Sequence, residues 1–386
     1  MSSLVLQTGP WSGAITSTGR LRDLNLPKVA PTILASLILS SCKGNEVTFV
    51  VPPEEEGKMQ IHTAVQRVFL NGPLDDINLY VRGAEELSRP QDITFTWDEK
   101  YQDCTVYLSE NRGYINSVAT HLTRNRVSFN NLKIGTTYYF YVDTEEDDII
   151  YEDSFTTSSE IIRNMYISGV TNARDLGGYP IEGNKTLNQG VIYRTSKLND
   201  DDEEEVSVRI SDRGINTMLN TMKVKTEIDL RRTDNNEVGG LKEGTSVLGN
   251  SVKYYQCPMD YNQDYVGGED NDASLRKVFS ILGNKDNYPL FFHCSIGTDR
   301  TGYVAHLINA MLGVKEEHLW RDYLFSNFAN IGGKRSRSTI ENSYPKLIKE
   351  QEGKTYQEKA TKFLLDKGVK QSELDVIKEM MIPADA

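Results

Sequence analysis

The sequence predicts two domains of different class: an all-β sandwich followed by an α/β domain with a mostly parallel sheet flanked by helices. Three observations carry this. The chain has 386 residues, more than one domain usually holds. Residues 50–157 show short runs of strict apolar–polar alternation. Beyond residue 158, strand-like runs alternate with segments of helical spacing.

In the first of these regions Ile93, Phe95 and Trp97 alternate with Asp92, Thr94 and Thr96, a half-buried strand. Tyr138, Phe140 and Val142 alternate again, and Val106 with Leu108 forms a third run. Asn111-Arg112-Gly113, Asn130-Asn131 and Lys133-Ile134-Gly135 supply the turns between them. No apolar period of 3.6 residues stands out, so no helix is expected here. Thr156-Thr157-Ser158-Ser159 marks the boundary. In the second region Ile215, Met218, Leu219 and Met222 have helix spacing, and Thr226–Leu230 and Val252–Gln256 are strand-like.

Composition narrows the function. The chain is 38% hydrophobic and 25% charged, which fits a folded protein and excludes collagen-like, largely disordered and multi-span membrane classes. A net charge of −12 argues against nucleic acid as a partner, because phosphate backbones need a basic face. One positive pocket for a phosphorylated substrate remains compatible with it. Cys42, Cys104, Cys257 and Cys294 are too far apart for zinc spacing, and no cofactor or metal is implied. The acidic runs at Asp147-Asp148, Glu152-Asp153 and Asp200–Glu205 lack the pattern of a calcium loop and read as solvated faces.

The densest signal runs from Leu290 to Gly302, LFFHCSIGTDRTG. Its apolar start reads as a buried parallel strand. After it, Val304, Leu307, Ile308, Met311 and Leu312 define an amphipathic helix ended by Gly313. Cys294 therefore closes a strand, and the following residues lead into a helix amino terminus. Successive backbone N–H groups there make an anion site, and the same field favours a nucleophilic thiolate. Arg300 can grip two phosphate oxygens with its planar fork. Thr301 can donate its hydroxyl to the sulfur, and Gly297 permits a turn that a side chain would obstruct. Ser295, Ile296, Gly297, Thr298 and Asp299 complete the phosphate-binding loop.

These residues resemble the phosphate loop of the cysteine-dependent protein tyrosine phosphatase superfamily. Asn172-Ala173-Arg174-Asp175-Leu176-Gly177-Gly178, Tyr193-Arg194-Thr195-Ser196, Asp229-Leu230-Arg231 with Glu237, and Asp322-Tyr323 with Ser326-Asn327 narrow the likeness. They are similar to motifs of the bacterial tyrosine and phosphoinositide phosphatases, the group of the secreted mycobacterial enzyme and the Listeria lipoprotein phosphatase. The resemblance covers about residues 165–386 and implies phosphomonoester hydrolysis through a phosphocysteine intermediate. It implies a phosphotyrosine protein or peptide as substrate, with a phosphoinositide or inositol phosphate as the alternative. A surface protein that only binds phosphopeptides is the reading from another class. Asp260, at the end of a strand-like run, matches the family's general acid, and Asp299 is its rival. His293, Arg174, Asp175 and Arg194 are expected to support the site. The narrower group usually carries Lys where this chain has Thr298, which disfavours polyphosphorylated lipids. Cys257, near the acid loop, could pair reversibly with Cys294.

Two further resemblances concern the first half. Leu132 to Tyr138 resembles the fibronectin type III corner, with Trp97 as the buried aromatic and the domain's ligand left open. Val29–Leu39 is an 11-residue apolar run followed by Ser40-Ser41-Cys42. It is too short to span a bilayer, fits an export signal, and resembles the lipobox of bacterial lipoproteins. The expectation is a leader over residues 1–49, lipidation at Cys42, and a protein of the bacterial cell envelope held to the membrane by its lipid anchor only.

Overall fold

The computed structural model describes residues 36–40, 46–144, 149–199, 209–232, 245–260 and 269–384. Cys42, Glu237, Asp147-Asp148 and Asp200–Glu205 lie outside the described residues. No described helix is long and apolar enough to cross a membrane. The chain forms two compact units, Met1–Gly72 with Pro90–Glu160 and Pro73–Arg89 with Ile161–Ala386.

In the first unit β1 (Ser36–Ser40) pairs antiparallel with β2 (Glu46–Val50). The apolar run that ends at Leu39 thus finishes as strand. Next comes α1 (Ala64–Asn71), a helix the apolar pattern did not predict. Its start is encoded locally: the Thr63 hydroxyl accepts from Gln66 N, and the Gln66 side chain accepts from Thr63 N at 3.1 Å. Val68, Phe69 and Leu70 are buried from it.

The strands that follow are β3 (Ile93–Thr96), β4 (Cys104–Ser109), β5 (Val118–Leu122), β6 (Arg126–Phe129), β7 (Thr137–Thr144) and β8 (Ile149–Thr156). All their pairings are antiparallel, in one sheet of order β3-β6 and another of order β5-β4-β7-β8. The alternation in β7 is real, since Tyr138, Phe140 and Val142 are buried and their neighbours are not. Phe140 is the centre of the core, with the Phe95 ring centroid 4.5 Å away. Trp97, expected as the buried aromatic of an early strand, is only partly buried and donates its indole N–H to Tyr101 O at 2.8 Å. Late in a short edge run, its polar N–H needs a partner that the apolar centre cannot give. The Tyr138 hydroxyl accepts from Lys133 N at 2.8 Å, closing the corner that contains Gly135.

The second unit contains α2 (Ile77–Tyr80), β9 (Arg174–Asp175), β10 (Pro180–Ile181), β11 (Lys185–Thr186), β12 (Ile192–Thr195) and α3 (Asp212–Asn216). It continues through β13 (Thr226–Asp229), β14 (Lys253–Gln256), α4 (Glu269–Leu282), β15 (Leu290–His293) and α5 (Asp299–Met311). Four helices close it: α6 (Glu316–Phe325), α7 (Tyr344–Lys349), α8 (Tyr356–Asp366) and α9 (Gln371–Met381). The main sheet has the order β14-β13-β15-β12-β9. Its pairings are parallel except for β9 against β12, so the sheet is mixed. All four residues of the central β15 are buried, as its continuous apolar start requires. The carboxyl ends of β12, β13, β14 and β15 meet at one edge, where open α/β sheets place their sites.

Two expectations need correction. The helix after the loop starts at Asp299, so Arg300 and Thr301 sit in its first turn rather than before it. Nor is α5 amphipathic. Every residue from Asp299 to Met311 is buried, including His306 and Asn309. A helix enclosed on all sides needs no polar stripe, and some of its polar residues find partners inside the fold instead. Gly313 ends it as expected, at φ +90°.

One of those partners creates a pH dependence. His306 Nε2 lies 2.7 Å from the Tyr356 hydroxyl, and burial pushes the imidazole down to about 3. An unfolded histidine titrates near ~6.5. Between that value and about 3, the unfolded chain binds a proton that the folded chain refuses. Stability therefore falls as pH drops through this window and is unaffected above it. From pH 7 to pH 5 we expect a loss of about 2 kcal/mol from this group. Urea unfolding at both values checks it, because His306→Gln should flatten the difference.

Candidate active site

Cys294 follows β15 directly and is 2% exposed. What shapes the loop after it is the fate of its carbonyl oxygens. Ser295 O accepts from Lys197 N at 3.1 Å. Ile296 O accepts from Asn172 Nδ2 at 3.0 Å, and Gly297 O accepts from Arg194 Nη2 at 2.7 Å. Thr298 O takes a longer bond from the same guanidinium, 3.4 Å. In a trans peptide the C=O and the next N–H point opposite ways. Tying successive carbonyls back thus turns the following N–H groups toward the other side, as an anion nest requires. Gly297 has φ +69°, and a Cβ there would stand 2.5 Å from Thr195 O. Only glycine lets the loop lie this close to the end of β12.

The donors behind the loop are themselves fixed by one carboxylate. Asp322, on α6, accepts from Arg174 Nε at 3.0 Å and from Arg194 Nη1. Tyr179 adds its hydroxyl at 3.3 Å. Both guanidiniums are fully buried. Burial, reinforced by the neighbouring Arg194, pushes Arg174 down to about 10. Burial would raise Asp322, but Arg194 and Arg174 together hold its carboxyl below the usual range. Arg174 also reaches Asn172 Oδ1, orienting the amide that holds Ile296 O. Asp175 works elsewhere, pairing with Arg163 at 2.7 Å and accepting from Gly177 N. It orders the turn after β9 and does not contact the loop carbonyls named above.

At the mouth, Arg300 donates to Met259 O at 3.3 Å and Ser295 Oγ at 3.4 Å. This ties the first turn of α5 to the segment carrying Asp260. The Thr301 hydroxyl is buried and has no partner among the described residues. Asp260 is half-exposed and paired with Arg232 at 2.7 Å, its backbone N–H held by Asn271 at 2.8 Å. Asp299 faces otherwise. It is buried, pairs with Arg335 Nη2 at 3.0 Å and accepts from Tyr323 at 3.5 Å. Of the two candidate acids, Asp260 is the one open to solvent. Thr298 is buried, with its hydroxyl 3.1 Å from Asn172 Nδ2, so its side chain faces the scaffold.

Beneath the loop, Glu227, Asp229 and His293 bring ligand atoms within 4.8 Å of one another, close enough to hold a cation. Each already has a protein partner. His293 bridges Glu227 Oε1 at 2.9 Å and Cys294 O at 3.3 Å. Asp229 is gripped by Arg231 at 2.7 Å and by Tyr254 at 2.9 Å. Burial pushes the Asp229 carboxyl up, but His293 and Arg231 outweigh it and hold it at about 2. The cluster is an ion-pair network under the strand ends.

A reversible bond between Cys257 and Cys294 is excluded by the sheet. Both residues follow their strands at one level, with β13 between β14 and β15. Two inter-strand spacings separate them, about 9–10 Å. A disulfide needs Cα atoms within about 7 Å. Burial also pushes the Cys257 thiol up to about 12, and both cysteines are free.

A model of the tyrosine phosphatase family matches residues 165–381, more than half of the chain. The chain belongs to this family. A provisionally named tyrosine-protein phosphatase of Cupriavidus necator is 26% identical to this phosphatase-family chain over 169 residues. The match spans 42% of this chain and 62% of that relative, less than two thirds of its length. Among solved structures, the catalytic core of PP-IP phosphatase Siw14 from S. cerevisiae, in complex with citrate, is 19% identical with a TM-score of 0.27. It covers 40% of this chain and 82% of that one. TpbA from P. aeruginosa, in complex with pTyr, is 15% identical with a TM-score of 0.25 over 50% and 86% of the two chains.

Sequence reasoning missed the roles of Asp322, Glu227, Arg232 and Arg335. Asp322 stood in a motif, but its partners lie 148 and 128 residues away. Arg335 had no local signal beyond its place in Gly332-Gly333-Lys334-Arg335.

Proposed function

We propose that the second unit is a cysteine phosphatase acting on phosphotyrosine. The observation that carries this is the loop itself: Cys294 at a strand end, carbonyls tied back from Ser295 to Thr298, and Arg300 in the adjoining helical turn. Cys294 Sγ attacks phosphorus and the bond to the leaving oxygen breaks, while Asp260 supplies that oxygen with a proton. Arg300 and the loop amides hold the equatorial oxygens, where charge concentrates. Water then attacks phosphorus and releases the sulfur, and Asp260 takes the proton back. The Thr301 hydroxyl, which lacks a partner among the described residues, is available to the departing sulfur. Ser295, Ile296, Gly297, Thr298 and Asp299 supply the loop. His293, Arg174 and Arg194 keep its shape, and Asp175 orders the turn beside it.

The family and the name of the Cupriavidus relative support tyrosine phosphate as substrate. The inward-facing Thr298 adds no charge for a second phosphate, which weighs against polyphosphorylated lipids. Phosphate release from a phosphotyrosyl peptide and from a phosphoinositide panel, under reductant, tests this. Faster turnover of the inositol lipids would replace the substrate assignment. Binding without turnover on any member would replace catalysis with phosphopeptide capture.

For the remainder we propose a leader over residues 1–49, a fibronectin type III-like sandwich within 50–157, of which Pro73–Arg89 instead belongs with the second unit, and the phosphatase over 158–386. The two antiparallel sheets and the Tyr138–Lys133 corner support the sandwich. An experimental strand order other than a sandwich's would remove it. Export and lipidation at Cys42 rest on the apolar run before it. Mass spectrometry of the mature amino terminus tests this, and an unmodified Cys42 ends the proposal.

A further inference from the structure

The segment Pro73–Arg89 lies outside the family match, yet it belongs to the second unit. Main-chain bonds hold it there. Gly83 N donates to Asn327 O at 2.8 Å, and Gly83 O accepts from Ile331 N at 3.0 Å. Leu87 N donates to Phe328 O at 2.6 Å. At Gly83, φ is +67° and a Cβ would stand 2.5 Å from Gly333 O, so only glycine allows this approach.

The loop it braces ends in Arg335. Asn327 holds the Arg335 backbone on both sides, through Oδ1 to Arg335 N at 2.7 Å and Nδ2 to Arg335 O at 3.0 Å. Asn78, from the bracing segment, donates to the same Arg335 O at 3.0 Å. So fixed, the guanidinium grips Asp299, the first residue of α5 and the neighbour of Arg300. Farther along the segment, Glu86 accepts from the Thr171 hydroxyl. Thr171 is bonded to Ser196 in both directions at 3.1 Å and precedes Asn172, which holds Ile296 O. The segment thus bears on the phosphate loop from two sides.

We propose that residues 73–89 are a positioning element of the phosphate loop, acting through Arg335 on Asp299 and through Thr171 and Asn172 on Ile296. This rests on the reading of Cys294–Arg300 as the reacting loop. A misplacement of about 1 Å suffices to cost an enzyme about a hundredfold in rate. The phosphatase would then need chain that its family pattern does not include.

The test uses the full chain with Gly83→Ala, the milder Asn78→Ala, Arg335→Gln, and each of the first two combined with Arg335→Gln. Two rates are read: turnover of p-nitrophenyl phosphate, and alkylation of Cys294 by iodoacetamide followed by mass spectrometry. The second needs no turnover, so it still judges the positioning role if the phosphatase reading fails. Each single variant should slow alkylation at least threefold and lower kcat about tenfold, with KM little changed. In the Arg335→Gln background, Asn78→Ala should have little further effect, because both act through one contact. Gly83→Ala keeps a residual effect there through Thr171. A merely structural segment would lower the melting temperature and leave both rates of the folded protein within twofold. Unchanged or faster alkylation in Asn78→Ala, or effects of Asn78→Ala and Arg335→Gln that multiply, overturns the proposal.

Discussion

Cys294→Ser is expected to abolish phosphate release while leaving oxyanion binding intact. The serine hydroxyl has the right place but not the right chemistry, because at neutral pH it is not ionised and is a far weaker nucleophile than a thiolate. Loss of a nucleophile of this kind costs about 10⁴-fold or more in kcat. The groups that would hold the anion are untouched: the loop amides remain turned by Asn172, Arg194 and Lys197, and Arg300 remains in its helical turn. Tungstate binding by calorimetry should therefore stay within a fewfold of the wild type. Residual turnover within tenfold would sink the cysteine mechanism.

The same assay separates the two candidate acids. Asp260→Asn should slow a phosphotyrosyl peptide about 10²–10³-fold. It should slow p-nitrophenyl phosphate much less, since that leaving group departs without a proton. Asp299 would show no such split, because its carboxylate is committed to Arg335 and Tyr323 inside the fold.

What the sequence made legible follows from contiguity. Cys294, Gly297, Arg300 and Thr301 run from a strand end through a short loop into the first turn of a helix, so the pattern is written in nearly consecutive letters. The buried run at Leu290 and the alternation at Tyr138, Phe140 and Val142 are local for the same reason. Where burial is complete, the pattern misleads. The polar residues His306 and Asn309 made α5 read as amphipathic, although the helix is enclosed on every side. Helix α1 spans only eight residues, too few for its period to stand out, and its start lay in the Thr63–Gln66 exchange. The bracing segment gives no periodic signal, because it docks through scattered main-chain bonds, the close approach at Gly83 and the single side chains of Asn78 and Glu86.

The scaffold behind the loop leads to the second large effect: Asp322→Ala should cost about 3–5 kcal/mol of stability. Asp322 is the carboxylate shared by Arg174 and Arg194, both buried beyond the reach of water. Without it, the two buried cations lose the carboxylate they share, and the burial and mutual repulsion that already lower Arg174 go unopposed by it. Breaking such a group is more costly than never having built it. Asp322→Asn should fall between the two, since the amide can still accept one hydrogen bond but carries no charge. The pH dependence has the matching sign. The folded carboxyl lies below its ordinary value, so its contribution is present above about pH 4 and is lost as pH falls through the folded value. Denaturant unfolding of the second unit checks the magnitude. A loss under 1 kcal/mol in Asp322→Ala would mean that the guanidiniums find water or other acceptors, and that the loop carbonyls are held without this carboxylate. The expected loss should come with weaker tungstate binding, because Arg194 holds both Asp322 and Gly297 O.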